Sequence, residues 1–214
     1  MHHEPASTGK NLSRRDLVKN VIGATVVIGS GAMLDTKAAT PPEGFRLKYA
    51  PSLGAFSKHV GSDPIDQIKF MADEGFSAMF DNGLPRKPPE LQEKIAKEVD
   101  RLNMTMGPFV LYADFGVKSM VTSDQEARDM LTEKMKQGVE IAKRTGVKWA
   151  LVVPGRFDES LEWDYQTANV VDHLKRCAEI VESAGLVLVI EPLNMHDHPG
   201  LFLTKVPQAY QICR

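Results

Sequence analysis

From Phe45 onward, short apolar runs alternate with longer segments whose apolar residues recur every three or four positions. The runs FRLKYA, FSAMF, MTMGPFVLY, VKWALVV and LVLVI predict strands, the last of them buried. The segments between them predict amphipathic helices. Their stripes are Ile65, Ile68 and Met71; Leu91, Ile95, Val99 and Leu102; Leu131, Met135, Val139 and Ala142; and Val171, Leu174, Ala178 and Val181. A fifth helix opens near Thr204. Asp63 before Pro64 is an N-cap followed by a first-turn proline, and Pro88-Pro89-Glu90 opens the second helix. Gly75, Asn103, Gly146 and Gly185 each stand between a helix and the next strand, where the chain turns through left-handed backbone.

Strict alternation of strand and helix implies a parallel sheet, either doubly wound or closed as a (β/α)8 barrel. No G-x-G-x-x-G or Walker sequence follows any of the strands, which weakens a dinucleotide-binding fold. A closed barrel needs eight units and about 250 residues. The expected fold is therefore α/β with a parallel sheet, doubly wound or a (β/α)8 TIM barrel of which about five βα units are present over residues 40–214. Arg214 arrives without a helix-stop signal, so the sequence reads as ending within an element. On that reading the polypeptide is inactive by itself and leaves strands one and five as open edges.

Residues 1–39 do not continue the rhythm. Arg14, Arg15 and Lys19 precede an apolar, Gly- and Ala-rich run over 21–34, the layout of a secretory signal. The run is shorter than the roughly 20 apolar residues of a membrane span. Ser13-Arg14-Arg15-Asp16-Leu17-Val18-Lys19 resembles the twin-arginine export motif, which implies a bacterial, periplasmic or exported protein with no stable span after signal removal. An uncleaved anchor helix is the alternative.

Net charge changes the picture by exclusion. With 26 Lys and Arg against 28 Asp and Glu the formal charge is -2, which argues against a nucleic-acid partner. Two cysteines, Cys177 and Cys213, do not make a disulfide framework and are expected to be free and mostly buried. Trp149 and Trp163 are expected in core and helix packing.

In parallel βα folds the loops at the carboxyl ends of the strands carry the chemistry. Glu191 closes the last predicted strand, and if Val187 and Val189 point inward the period of two carries Glu191 inward too. Pairing with a neighbouring cation, or capping of the next helix, is its alternative role. The following loop adds Asn194, His196, Asp197 and His198. Oxygen and imidazole donors suit Mg²⁺, Mn²⁺ or Zn²⁺, although one glutamate and an H-x-H loop do not complete a site, and a solvated turn explains the histidines equally. Asp81 and Asn82 after strand two, Tyr112 and Asp114 after strand three, and Arg156 after strand four are placed to meet a polar substrate, with a turn as the equal alternative for Asp81-Asn82-Gly83. The guanidinium fork of Arg156 matches a carboxylate, with a surface ion pair as the alternative.

The segment VIEPLN followed by DHPGLFLTKVPQAYQI, with the preceding rhythm, resembles the xylose-isomerase-like TIM-barrel superfamily, and within it the hydroxypyruvate isomerase group. The resemblance implies that Glu191 is a divalent metal ligand and one of two carboxylates that move a proton between adjacent carbons. It implies further ligands, an Asp, a His or Gln and a second Glu, on strands that lie beyond Arg214. The implied activity is a metal-dependent isomerisation of a small hydroxycarbonyl compound, hydroxypyruvate to tartronate semialdehyde; Asn194, His196, His198, Arg156 and Asp81 are expected as its substrate contacts from their places in the loops after the strands. A sugar 3-epimerase shares Glu191; a non-catalytic exported carbohydrate-binding protein and a zinc nuclease on the same barrel are the other readings. A homo-oligomer of the full-length protein is left open.

Overall fold

The computed structural model describes residues 44–214, so the export-signal reading of residues 1–39 lies outside the described residues. In chain order the elements are α1 (Ser57–Val60), α2 (Pro64–Asp73), β1 (Ala78–Met79), a 3-10 turn (Leu84–Arg86), α3 (Pro89–Arg101), β2 (Thr105–Met106), β3 (Phe109–Tyr112), α4 (Gln125–Thr145), β4 (Trp149–Val152), α5 (Trp163–Glu182), β5 (Val187–Ile190) and α6 (Val206–Cys213). Every strand pairing is parallel, as the alternation requires. The result is part of a TIM barrel.

The helix boundaries follow local chemistry. Asp63 Oδ1 accepts from the N–H groups of Ile65 and Asp66 at 2.8 and 3.2 Å, satisfying two amides that a helix start leaves unpaired. Helix α4 stops at Gly146, whose φ of 72° is the left-handed cap, and Asn103 takes the same role after α3 at φ 53°. One core runs between helices and sheet, built on Ile68, Met79, Phe109, Leu131, Met135 and Val152. Full burial of each such side chain contributes about 1.5–3 kcal/mol.

The sheet is shorter than the apolar runs suggest. MTMGPFVLY forms two strands, because Pro108 has no N–H to donate and Gly107 instead bonds the Met79 carbonyl at 2.7 Å. Two sheets result, β1-β2 and β3-β4-β5. FRLKYA forms no strand: Phe45, Leu47 and Tyr49 are exposed, and Phe45 packs on Phe76 with centroids 4.8 Å apart. Its contact with the sheet begins one residue later, where Phe80 donates to the Pro51 carbonyl and Leu53 to the Phe80 carbonyl.

Two side-chain placements depart from the pattern. On α5 the buried stripe is Val170, His173, Cys177 and Val181, with Ala178 exposed, so the stripe is turned by one residue from the expected Val171, Leu174 and Ala178. The turn is made possible by polar residues that find buried partners: His173 Nε2 lies 2.8 Å from the Thr122 carbonyl oxygen. Trp149 is 37% exposed because its face of β4 is not covered by helices. Cys177 is buried as expected, whereas Cys213 is exposed at the end of α6.

Candidate active site

The residues that can carry chemistry gather on the loops that follow the strands. Two of these loops, and the segment that leads into α2, are held from below by one device, a buried glutamine as the fourth residue of the next helix. Gln67 of α2 accepts from Gly54 N–H and donates to the Gly61 carbonyl. Gln92 of α3 donates to the carbonyls of Leu84 and Lys87. Gln166 of α5 accepts from Asp158 N–H at 2.8 Å and donates to the carbonyls of Asp158 and Leu161. An amide carries donor and acceptor on one planar head, so a single side chain satisfies loop backbone that would otherwise be buried unpaired. Hydropathy patterning passes over these glutamines; their spacing from the helix start is the signal that would have found them.

Neighbouring loops are also stitched to each other. Arg156 N–H donates to the Val117 carbonyl at 2.9 Å, Phe202 N–H to the Gly155 carbonyl at 3.0 Å, and Phe157 N–H to the Gly200 carbonyl at 3.0 Å. Gly155 is required there. At φ 97°, an added Cβ would stand 2.6 Å from Ser119 Oγ and 2.7 Å from the Val117 oxygen. Asn169 Nδ2 donates to the Val121 carbonyl and ties α5 to the loop after β3.

Glu191 emerges from the carboxyl end of β5, where its N–H reaches the Val152 carbonyl at 3.4 Å. Leu188 and Ile190 pack against the helix-side core. By the period of two, Glu191 therefore shares the opposite, uncovered face with Val187 and Val189. It is half-buried, and among the described residues no hydrogen bond or ion pair engages its carboxylate. A carboxylate so placed is available as a base or as a ligand.

The other candidates are distributed unevenly. Asn194 organises its own turn, with Oδ1 accepting from the N–H groups of His196 and Asp197 and Nδ2 donating to Asp197 Oδ2 at 2.9 Å. His196 is exposed in that turn, and His198 meets the Phe115 ring edge-on at 4.8 Å. Asp81, only 4% exposed, accepts from Gly83 N–H through Oδ1. Its Oδ2 lies 2.8 Å from Lys87 Nζ as an ion pair, off the direction of a hydrogen bond. Asp81 thus sits at the end of β1 with both oxygens committed to the chain itself. Asp114 Oδ1 accepts from Gly116 and Val117 N–H, which shapes the loop after β3. Tyr112 is buried, and burial raises its phenol above the ordinary value. Ser119, whose hydroxyl donates to the Pro154 carbonyl, offsets this in part, although the tyrosine oxygen has no partner in good hydrogen-bond geometry among the described residues.

An ionic cluster joins the loops after β3 and β4. Lys118 Nζ lies 3.0 Å from Asp158 Oδ1 and 2.9 Å from Glu159 Oε2, and Arg156 Nη2 lies 3.0 Å from Glu159 Oε1. Ser160, through its N–H first, together with Lys118 holds the Asp158 carboxyl down at about 2. Lys118 first, with Arg156, does the same for Glu159, also about 2. Lys118, Asp158 and Glu159 carry no sequence motif, and only the apposition of two loops singles them out. Among the described residues no three His, Cys, Asp or Glu side chains converge as a metal site, and Glu191 does not form one by itself.

Residues 68–214 match the family described as xylose isomerase-like TIM barrel. No curated protein matches the sequence. Among solved structures, an AP endonuclease of family 2 from Brucella melitensis aligns with a TM-score of 0.63 and 16% identity over 77% of this chain and 62% of its own. D-psicose 3-epimerase with D-tagatose, from Clostridium cellulolyticum H10, gives 0.55 and 14% over 78% of this chain and 60% of its own. The IOLI protein with a binding zinc atom gives 0.55 and 18% over 68% of this chain and 51% of its own. At such identities the likeness speaks for the fold, and this chain spans less than two thirds of the length of each.

Proposed function

The chain belongs to the xylose isomerase-like TIM-barrel family, and from that premise we propose that the protein is an isomerase of small hydroxycarbonyl compounds. Its preferred substrate on this reading is hydroxypyruvate, interconverted with tartronate semialdehyde. The observation that carries the proposal is Glu191, half-buried at the carboxyl end of β5 on the face away from the helices, with its carboxylate unengaged.

In the proposed reaction Glu191 takes a proton from C3 of hydroxypyruvate, and the C–H electron pair becomes the second bond between C2 and C3. The O3 proton moves to O2 and a proton returns to C2, so that C3 ends as the aldehyde and no atom is gained or lost. General-base catalysis of this kind contributes typically 10²–10⁴-fold. A divalent cation, Mg²⁺, Mn²⁺ or Zn²⁺, belongs to the proposal through the sequence resemblance. The described residues offer Glu191 as its single candidate ligand and do not fit the ion alone, so no step is assigned to it. The twin-arginine-like stretch supports a periplasmic location within the same proposal.

The test is solvent exchange: the product of the complete gene is incubated with hydroxypyruvate and divalent metal in D₂O, and the C3 proton signal is followed by NMR. Exchange is expected in the wild type, with a loss on the order of 10²-fold or more in Glu191→Gln. An equal rate in the variant, or no exchange in the wild type, overturns the proposal. The fold likeness to D-psicose 3-epimerase supports a 3-epimerase as the second reading, which predicts exchange at C3 of a ketohexose instead.

A further inference from the structure

Two cations from different loops converge on one carboxylate of the chain itself. Glu159 bridges Lys118 and Arg156, one oxygen to each, at 2.9 and 3.0 Å. The loops that bear them are locked by the bond from Arg156 N–H to the Val117 carbonyl, so the two positive groups have a common footing. Arg156 also rests on a prepared floor. A Cβ at Gly200 would stand 2.9 Å from its Nη1 and 3.0 Å from its Cζ, so the guanidinium lies directly against glycine backbone. Gly200 has φ 86°, which independently favours glycine.

The bridging carboxylate is less firmly held than its neighbour. Asp158 accepts from Ser160 N–H and Oγ as well as from Lys118, and its side chain is 16% exposed. Glu159 is held by the two cations and its own backbone N–H, and is 51% exposed. Exposed ion pairs of this kind contribute little net stability, within reach of a competing ligand. Arg156 meets Glu159 through Nη2 alone, which leaves the rest of its fork for the two-point contact that guanidinium makes with carboxylates.

We infer that Lys118 and Arg156 form a carboxylate-binding subsite on the strand-end face, and that Glu159 occupies it as an internal competitor displaced by the carboxylate of a small hydroxy acid or keto acid. The inference rests on the proposal that this face receives the substrate. It explains why two cations are built beside a half-exposed glutamate, and it assigns substrate discrimination to acid-bearing over neutral hydroxycarbonyl compounds. Arg156 and Lys118 orient the ligand, and Glu159 sets the threshold for its entry.

The probe is D-glycerate, which has the carboxylate and hydroxyls but no carbonyl and so cannot be isomerised. Its affinity for the full chain is measured by calorimetry for the wild type, Glu159→Gln, Arg156→Gln and Lys118→Met, with glycerol as the uncharged control. Glu159→Gln is expected to tighten glycerate binding about fivefold, the release of competition worth about 1 kcal/mol. Adding Arg156→Gln or Lys118→Met to it is expected to abolish that gain, and glycerol is expected to respond to none of the changes. Unchanged glycerate affinity in Glu159→Gln, or a gain that survives loss of either cation, overturns the inference. Circular dichroism on each variant separates loss of the subsite from loss of the fold. If glycerate behaves as expected while exchange at hydroxypyruvate C3 is absent, the isomerase proposal falls and the subsite stands. Exchange that depends on Glu191 but has the same KM in Arg156→Gln has the opposite meaning.

Discussion

Replacing Gly155 by alanine tests whether the loops at the strand ends are packed as closely as the structure places them. Two costs add at this position. The backbone has φ 97°, where a side chain costs about 1–2 kcal/mol. The new methyl would also stand 2.6 Å from Ser119 Oγ and 2.7 Å from the Val117 oxygen, both inside van der Waals contact. Neither neighbour retreats freely, since Ser119 Oγ donates to the Pro154 carbonyl and the Val117 oxygen accepts from Arg156 N–H. Overpacking of this kind costs roughly 1–3 kcal/mol. The expected total is about 2–5 kcal/mol, and at about 2–4 °C per kcal/mol for a chain of this size the melting temperature falls by roughly 4–20 °C. Gly185→Ala is the control, because its φ is 64° with nothing within 4 Å of an added Cβ, so it carries the backbone cost alone. Urea unfolding of both variants should separate them by about 1–3 kcal/mol. If they agree to within about 0.5 kcal/mol, the close approach of the two loops is not real.

Removal of the loop-holding amide in Gln166→Ala is expected to cost about 2–3 kcal/mol, since Asp158 and Leu161 backbone groups lose their partner; a change in urea midpoint worth under about 0.5 kcal/mol would refute that role. Asp158 and Glu159 are both held at about 2 in the fold, below the unfolded carboxyl range near 4. Their contribution is therefore complete above about pH 4 and is lost as the pH falls toward 2, so the urea midpoint should fall over that window and fall less in Lys118→Met. Burial pushes the Cys177 thiol up to about 11, so at pH 8 a thiol reagent should label Cys213 rapidly and Cys177 only on unfolding; two rapid reactions per chain would contradict the placement of α5.

Alternation of apolar runs and amphipathic segments was enough to determine the succession of helix and strand from α2 onward, the parallel pairing and the positions of the left-handed joints. Each of these depends on residues near in sequence: Asp63 caps its own helix, and Gly146 ends the one it follows. The position of Glu191 at a strand end was legible for the same reason, because strand period and turn residues are local properties. Other features needed the fold. Pro108 divides an apolar run because it has no N–H for the ladder, and FRLKYA lies off the sheet with Phe45 on Phe76. His173 is buried because the carbonyl of Thr122, far away in sequence, meets it, and the three glutamines are buried because backbone of the loop before each one's own helix meets their amides, neither of which hydropathy anticipates. The bridge from Lys118 through Glu159 to Arg156 spans two loops separated by helix α4 and strand β4. Periodicity determined which residues lie on strands, helices and joints, since it acts within a few residues. The tertiary structure decided which charges meet, since that depends on two loops brought side by side by the pairing of β3 with β4.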